Sequence, residues 1–282
     1  MPDFLLEIGT EEIPARMIAG AREELQHRVA DLLNRERLST SGEMGCIDTP
    51  RRLGVLAPGI PSAQPDVTEQ INGPAASVAF KDGHPTPAAH AFAKKAGVDV
   101  SRLERVTTAK GEYLSAKVTK KGRATSDILA ELLPKEIASI YWPKNMFWRK
   151  PNERFVRPVR WLIAMLDDQI IPFEFGGIRA GNQSRGHRIL STGLVHIPRA
   201  GAPYVEALRA AKVLSRSERE QQIRKALDAA ARTIPGARWR EDKALLDTVV
   251  NLTEWPSAIL GSFDSEFLEL PEEVLVTVMR DH

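Results

Sequence analysis

The sequence predicts an α+β fold of several lobes, with mixed and antiparallel sheets set against packed helices. Three observations carry this. The apolar period switches repeatedly between two and about 3.6 along the chain. At 282 residues the chain suits more than one compact unit. With 43% hydrophobic and 27% charged residues there is enough apolar material for buried cores, which excludes a mostly disordered chain.

Taken in order, Phe4-Leu5-Leu6-Glu7-Ile8 reads as a strand ended by Gly9. From Pro14 the period becomes helical: Met17, Ile18, Ala21, Leu25, Val29, Leu32 and Leu33 form one apolar stripe. Thr49-Pro50-Arg51-Arg52 leads into a strand at 53–56. Residues 57–87, with six prolines, read mostly as loop. Thr86-Pro87 opens a short helix that Gly97 closes. A hairpin follows, 105–109 and 113–119 about a Lys110-Gly111 turn, and then a helix from Ser126 that Pro134 should end or kink. Residues 161–166 and 170–175 read as a hairpin about Asp167-Asp168, with Trp161, Phe173 and Phe175 on its buried face. Helices are expected at 203–214, at 215–234 behind a Ser215-x-x-Glu218 capping box, at 241–253 and from Pro271. That last helix has no cap after it, so a fragment of a longer chain is the simplest reading. Two α+β lobes are expected, 1–140 and 141–282, with no internal repeat.

One cysteine, Cys46, excludes a disulfide framework and a cysteine zinc site. The N-terminus lacks a signal-peptide core and no apolar run approaches the ~20 residues of a membrane span. A soluble cytoplasmic protein without membrane partners is the expectation. The phosphate loop, the dinucleotide fingerprint, the nucleophile elbow and the His-Glu-x-x-His zinc helix are all missing. The acid pairs Glu11-Glu12, Asp167-Asp168 and Glu272-Glu273 fall at a helix entry, a turn and a helix first turn, where acids serve capping and turn roles. No catalytic or metal-binding set emerges.

Charge is uneven. Residues 141–190 hold nine Lys and Arg against four Asp and Glu, a net of +5 in a chain of net +2, and eight of the seventeen aromatic residues. Arginine interleaved with rings suits RNA, through guanidinium forks on phosphate and stacking on bases. It suits a protein interface equally well. The loop 176–188, with four glycines, is a weaker candidate for anion binding.

The words of the sequence go further. Glu7-Ile8-Gly9-Thr10-Glu11-Glu12-Ile13-Pro14, Thr49-Pro50-Arg51-Arg52-Leu53, Asn72-Gly73-Pro74, Lys110-Gly111-Glu112-Tyr113-Leu114, Arg154-Phe155-Val156-Arg157-Pro158-Val159-Arg160-Trp161-Leu162, Arg185-Gly186-His187-Arg188, Glu254-Trp255-Pro256 and Phe267-Leu268-Glu269-Leu270-Pro271-Glu272-Glu273-Val274-Leu275 occur in this order. Together they resemble the N-terminal part of the β subunit of bacterial heterotetrameric glycyl-tRNA synthetase. Asn145, Phe147 and Ser184 depart from the family's usual residues.

The resemblance implies a subunit of an α2β2 ligase that joins glycine to tRNA(Gly) using ATP and Mg2+. The adenylate-forming site would lie in the α subunit, with no cofactor held by this segment and no chemistry done by it alone. Its partners would be the α subunit and tRNA(Gly). Candidate RNA contacts are Arg149, Lys150, Arg154, Arg157, Arg160, Arg185, His187 and Arg188, with Arg51 and Arg52 as a second patch. Five phosphate contacts to single-stranded RNA would give a salt slope of about −3.5. A pure assembly surface, or an editing-type deacylase domain, are the alternatives.

Overall fold

The computed structural model describes residues 1–81, 83–108, 111–148 and 154–281. In chain order the main elements are β1 (Phe4–Thr10), α1 (Ala15–Arg35), β2 (Gly45–Thr49), β3 (Arg52–Ala57), β4 (Val67–Ala75), α2 (Pro87–Ala96), β5 (Glu104–Thr108), β6 (Gly111–Lys120), α3 (Thr125–Ala138), β7 (Val159–Leu166), β8 (Gln169–Ile170), β9 (Glu174–Phe175), β10 (Ile178–Gly181), β11 (Gln183–Arg185), β12 (Leu194–His196), α4 (Ala202–Ala210), α5 (Arg216–Ala231), α6 (Lys243–Val250) and α7 (Glu272–Asp281). The α+β class stands. The division into units falls elsewhere than residue 140: one unit comprises 1–62 with 126–282, and residues 63–125 form the other. Strand pairing explains the first unit, because β1 pairs along its length with β7, some 155 residues later.

In the first unit seven strands form a mixed sheet ordered β9-β10-β7-β1-β3-β2, with β8 beside β7. Only the β7–β10 pair is parallel. All seven residues of β1 are buried, as a central strand covered on both faces requires. Even-numbered Phe4, Leu6 and Ile8 join Leu53, Val55, Leu162 and Ala164 on the face that receives α1 and α3. The buried residues of α1 are the seven of its apolar stripe. Odd-numbered Leu5 joins Trp161, Ile163 and Met165 on the other face, against Tyr204 and Leu208 of α4.

Several expectations change. The α3 helix runs through Pro134 to Ala138. Leu129, Leu133 and Ile137 are buried in the core, and burying such side chains at about 1.5–3 kcal/mol each outweighs the roughly 3 kcal/mol cost of an interior proline. The hairpin after β7 turns at Asp167-Asp168 but its ladder reaches only Ile170, since Pro172 lacks an N–H to continue it. Trp161 lies on the opposite face from Phe173 and Phe175, although all three are buried. The Ser215 N–H donates to the Glu218 carboxylate (2.9 Å), the expected reach of the capping box back over the start of α5.

The second unit is an antiparallel sheet ordered β4-β6-β5 packed under α2. Much of the expected loop 57–87 is therefore strand. Pro74 fits because β4 is an edge strand and its register slips between Asn72 and Ala75. Gly73 is required there: a Cβ would meet the Phe92 ring at 2.6 Å. The α2 helix starts at Pro87 and ends on Gly97 at φ 67°, as read from the sequence. The turn expected at Lys110 lies outside the described residues.

Candidate anion-binding cleft

The site begins with charge inside the first unit. Glu7, in the middle of β1, is fully buried, and a buried carboxylate survives only when paired. Its Oε1 accepts from Ser184 Oγ (2.7 Å), Trp161 Nε1 and Arg52 Nη1 (3.3 Å). Glu254 supplies the second carboxylate. Its Oε1 accepts from Thr49 Oγ1 (2.9 Å) and Arg52 (3.2 Å), and its Oε2 accepts from Arg51 (2.8 Å). Burial works against ionisation of Glu254, but the charges of Arg52 and Arg51 outweigh it and hold the carboxyl below the usual range. The two guanidiniums also reach main-chain carbonyls, Arg51 to Gly186 (2.7 Å) and Arg52 to Arg185 (2.8 Å).

Arg51 and Arg52 were expected to form a second RNA-facing patch. At 6% and 0% exposure they instead tie β3 to β1, to the loop after β11 and to Glu254. Trp161 is held among these groups, with the guanidinium carbons of Arg51, Arg52 and Arg185 5.6–5.9 Å from its ring centroid. Its ring lies across Gly9, where a Cβ would come within 1.9 Å of it. That contact accounts for a glycine at the end of β1.

Beside this network opens a cleft of about 400 Å³. Four guanidiniums line it from three separate segments: Arg51 between β2 and β3, Arg160 on β7, and Arg185 and Arg188 on the stretch that ends β11 and enters the following loop. Glu11 bridges two of them, in an ion pair with Arg160 Nε (2.7 Å) and accepting from Arg188 Nη2 (2.6 Å), and Arg188 also meets Glu12 (2.8 Å). Burial raises the Glu11 pKa, but the bond from Arg188 and the charge of Arg160 prevail and hold it below the ordinary value. Arg157 donates to the Glu12 carbonyl (2.8 Å), which fixes the same turn from a third side. Arg185 is exposed and has no carboxylate partner among the described residues. The Thr10 hydroxyl, on a residue only 1% exposed, lines the cleft without a hydrogen-bond partner among the described residues.

His187 behaves differently from the cation expected. Its Nδ1 accepts the N–H groups of Ile189 and Leu190, both at 3.1 Å, so it closes its own loop. Burial, joined by the charge of Arg51, lowers its pKa against the pull of Glu254, which favours the neutral ring. Arg154 is not among the cleft residues: its guanidinium lies 4.4 Å from the Phe147 ring centroid, on the short hairpin Met146–Phe147 with Arg154–Phe155. Arg149 and Lys150 lie outside the described residues. Sequence reasoning missed the role of Glu11 and Glu12. The α1 first turn holds no acid, and the pair serves as counter-ions to arginines about 150 to 175 residues away.

Convergent guanidinium forks suit a phosphate or carboxylate ligand. Among the described residues no group of three or more His, Cys, Asp or Glu side chains is placed to hold a metal, and a cleft lined by arginine does not suit a cation. Nor is any described helix long and apolar enough to cross a membrane.

Residues 4–282 match the family model described as glycyl-tRNA synthetase beta subunit. The chain is 62% identical over its whole length to a glycine–tRNA ligase beta subunit of Acidobacterium capsulatum, covering 40% of that protein. It is 40% identical to the corresponding subunit of Geobacter sulfurreducens and 41% to that of Myxococcus xanthus, over 99% of this chain and 41% and 40% of those proteins. The chain thus spans about 40% of the length of the relatives it matches. A family model that matches nearly the whole chain, with relatives 40–62% identical along it, leaves one conclusion: the chain belongs to the glycyl-tRNA synthetase beta-subunit family.

Proposed function

We propose that this chain is the N-terminal part of a glycine–tRNA ligase β subunit and gives that enzyme an RNA-contacting surface without making bonds itself. In this reading ATP and Mg2+ are used by the α subunit of a cytoplasmic α2β2 ligase, and tRNA(Gly) is the shared ligand. One observation carries the proposal: four guanidiniums from three segments of one unit converge on a single cleft, and Arg185 among them has no carboxylate partner among the described residues. Arg51 is committed inside the protein, which leaves Arg160, Arg185 and Arg188 to meet phosphate. If each met a phosphate of its own the salt slope on single-stranded RNA would be about −2, at about −0.7 per phosphate, and if all three share one phosphate it would be about −0.7.

The test is binding of a tRNA(Gly) transcript to the chain between 50 and 200 mM salt. Replacing Arg160 and Arg185 together by Ala should weaken binding about tenfold and flatten the salt dependence. Salt-independent binding, or unchanged affinity in the double variant, would reject the cleft as an RNA surface.

A second reading, assembly, has its own observation. Between 259 and 279 the chain exposes Ile259 (91%), Leu268 (65%) and Met279 (59%), with Phe263, Phe267 and Val278 also exposed, which is unusual for side chains of this kind. Capture of the purified α subunit that is lost on Leu268→Asp, with tRNA affinity kept, would support assembly as an additional role. Unchanged capture would reject it.

A further inference from the structure

We infer that the cleft is built for one phosphate group of an RNA backbone, recognised without regard to base, and that the Glu11 carboxylate occupies that group's place until the ligand arrives. The inference rests on the RNA-contact reading above and makes it specific.

The donors are the first argument. Arg160 and Arg188 grip Glu11 at 2.7 and 2.6 Å, the short charge-assisted bonds that these forks also make to phosphate oxygens. Glu11 satisfies only part of what the cleft offers. Arg185 lines it too and does not pair with Glu11. A tetrahedral anion has more acceptor oxygens than a carboxylate and can engage this left-over donor as well.

The second argument is that the fold does not need the Glu11 side chain in place. Its main chain is held independently by its own N–H on the Pro158 carbonyl (3.2 Å), between the Thr10 N–H on Arg51 (2.8 Å) and the Ile13 N–H on Pro50 (2.7 Å). Arg188 likewise keeps a partner when Glu11 leaves, because Glu12 holds its other terminal nitrogen at 2.8 Å. The exchange therefore moves one carboxylate and disturbs no backbone.

The third argument sets the ligand class. Among the described residues Trp161 is the one Phe, Tyr or Trp ring lining the cleft, and it is 6% exposed with three guanidiniums about it. The other ring there, His187, is tied by its Nδ1 to its own loop, so the cleft is poor in the free aromatic faces that single-strand binders add to backbone contacts. Because Glu11 stays ionised well below neutrality, the competition at neutral pH is one of anion against anion.

The experiment uses inorganic pyrophosphate and a tRNA(Gly) transcript as probes, titrated calorimetrically into the intact chain and its Glu11→Gln and Glu11→Ser variants, each checked for an unchanged melting curve. Removing a negative charge that two guanidiniums share should tighten pyrophosphate and tRNA alike by about 3- to 10-fold. Glu12→Gln, which frees one nitrogen of Arg188 only, should have a smaller effect, and Arg185→Ala should loosen both ligands. If both Glu11 variants bind equally or more weakly while Arg160→Ala and Arg185→Ala still weaken tRNA, the stand-in role falls and the RNA-contact reading survives. If tRNA ignores every cleft variant, both fall. A preference between oligo(U) and oligo(C) that disappears in Arg185→Ala would show base readout and overturn the ligand class.

Discussion

Replacing Glu254 by Ala removes the one carboxylate shared by Arg51 and Arg52. Arg52 keeps Glu7, but Arg51 is left with a carbonyl and no buried counter-charge. Breaking a buried pair from one side costs about 3–5 kcal/mol, because the remaining charge stays in a low-dielectric interior. Against a total stability of order 5–15 kcal/mol that is a large fraction, and for a unit of this size it lowers Tm by roughly 6–20 °C. Urea unfolding followed by Trp fluorescence measures it. Glu254→Gln, which keeps the shape and the Thr49 bond, should fall between the two.

A pH series separates charge from shape. The folded-state pKa of Glu254 is depressed, so its contribution is present in full above the unfolded carboxylate value of about 4.3 and is lost as pH falls through the folded value. Wild type and Glu254→Ala should therefore converge in stability as the solution is acidified below pH 4. A loss under 1 kcal/mol at pH 7, or a gap that stays constant into acid, would refute the claim that this carboxylate anchors both arginines.

Three further outcomes are expected. Gly9→Ala should destabilise by at least about 2 kcal/mol in urea, since its Cβ would enter the Trp161 ring and push that ring off Glu7; a neutral substitution would contradict the packing. Cys46, whose thiol burial pushes up to about 11, should alkylate at pH 7.5 on the order of a hundredfold more slowly than an unperturbed thiol of pKa near 8.5, as read by mass spectrometry with iodoacetamide. Pro134→Ala should raise stability by about 1 kcal/mol or more, by restoring a helical N–H inside α3 and relieving the ring's clash with the preceding turn; a fall in Tm would mean the proline fits a helix already distorted around it.

Elements were legible where one period dominated. The stripe of α1 emerged residue for residue, because a 21-residue helix on one face of a sheet has only one way to bury seven apolar side chains. The capping signals of α2 and the turn after β7 were equally local and equally readable. Elements were misread where tertiary packing overrode a local breaker: Pro134 inside α3, and Pro74 in a strand tolerated only at an edge. The division into units was not legible at all. It depends on β1 pairing with β7, and a buried parallel or mixed sheet carries no sequence mark of which strand lies beside which.

The site shows the same split, and there it decides function. A window of net +5 predicts a strong positive field, yet two of its guanidiniums, Arg160 and Arg188, are answered by carboxylates from elsewhere in the fold. Glu11 and Glu12 at the end of β1 answer Arg160 and Arg188, and Glu254, some 200 residues further on, answers Arg51. What survives is directional rather than electrostatic: fixed N–H forks around one small volume, with a single guanidinium left over. A cleft of that kind steers RNA weakly from a distance and holds one phosphate well at contact. Its salt slope should therefore lie nearer about −0.7, the value for one phosphate, than the −3.5 that counting arginines along the chain would suggest.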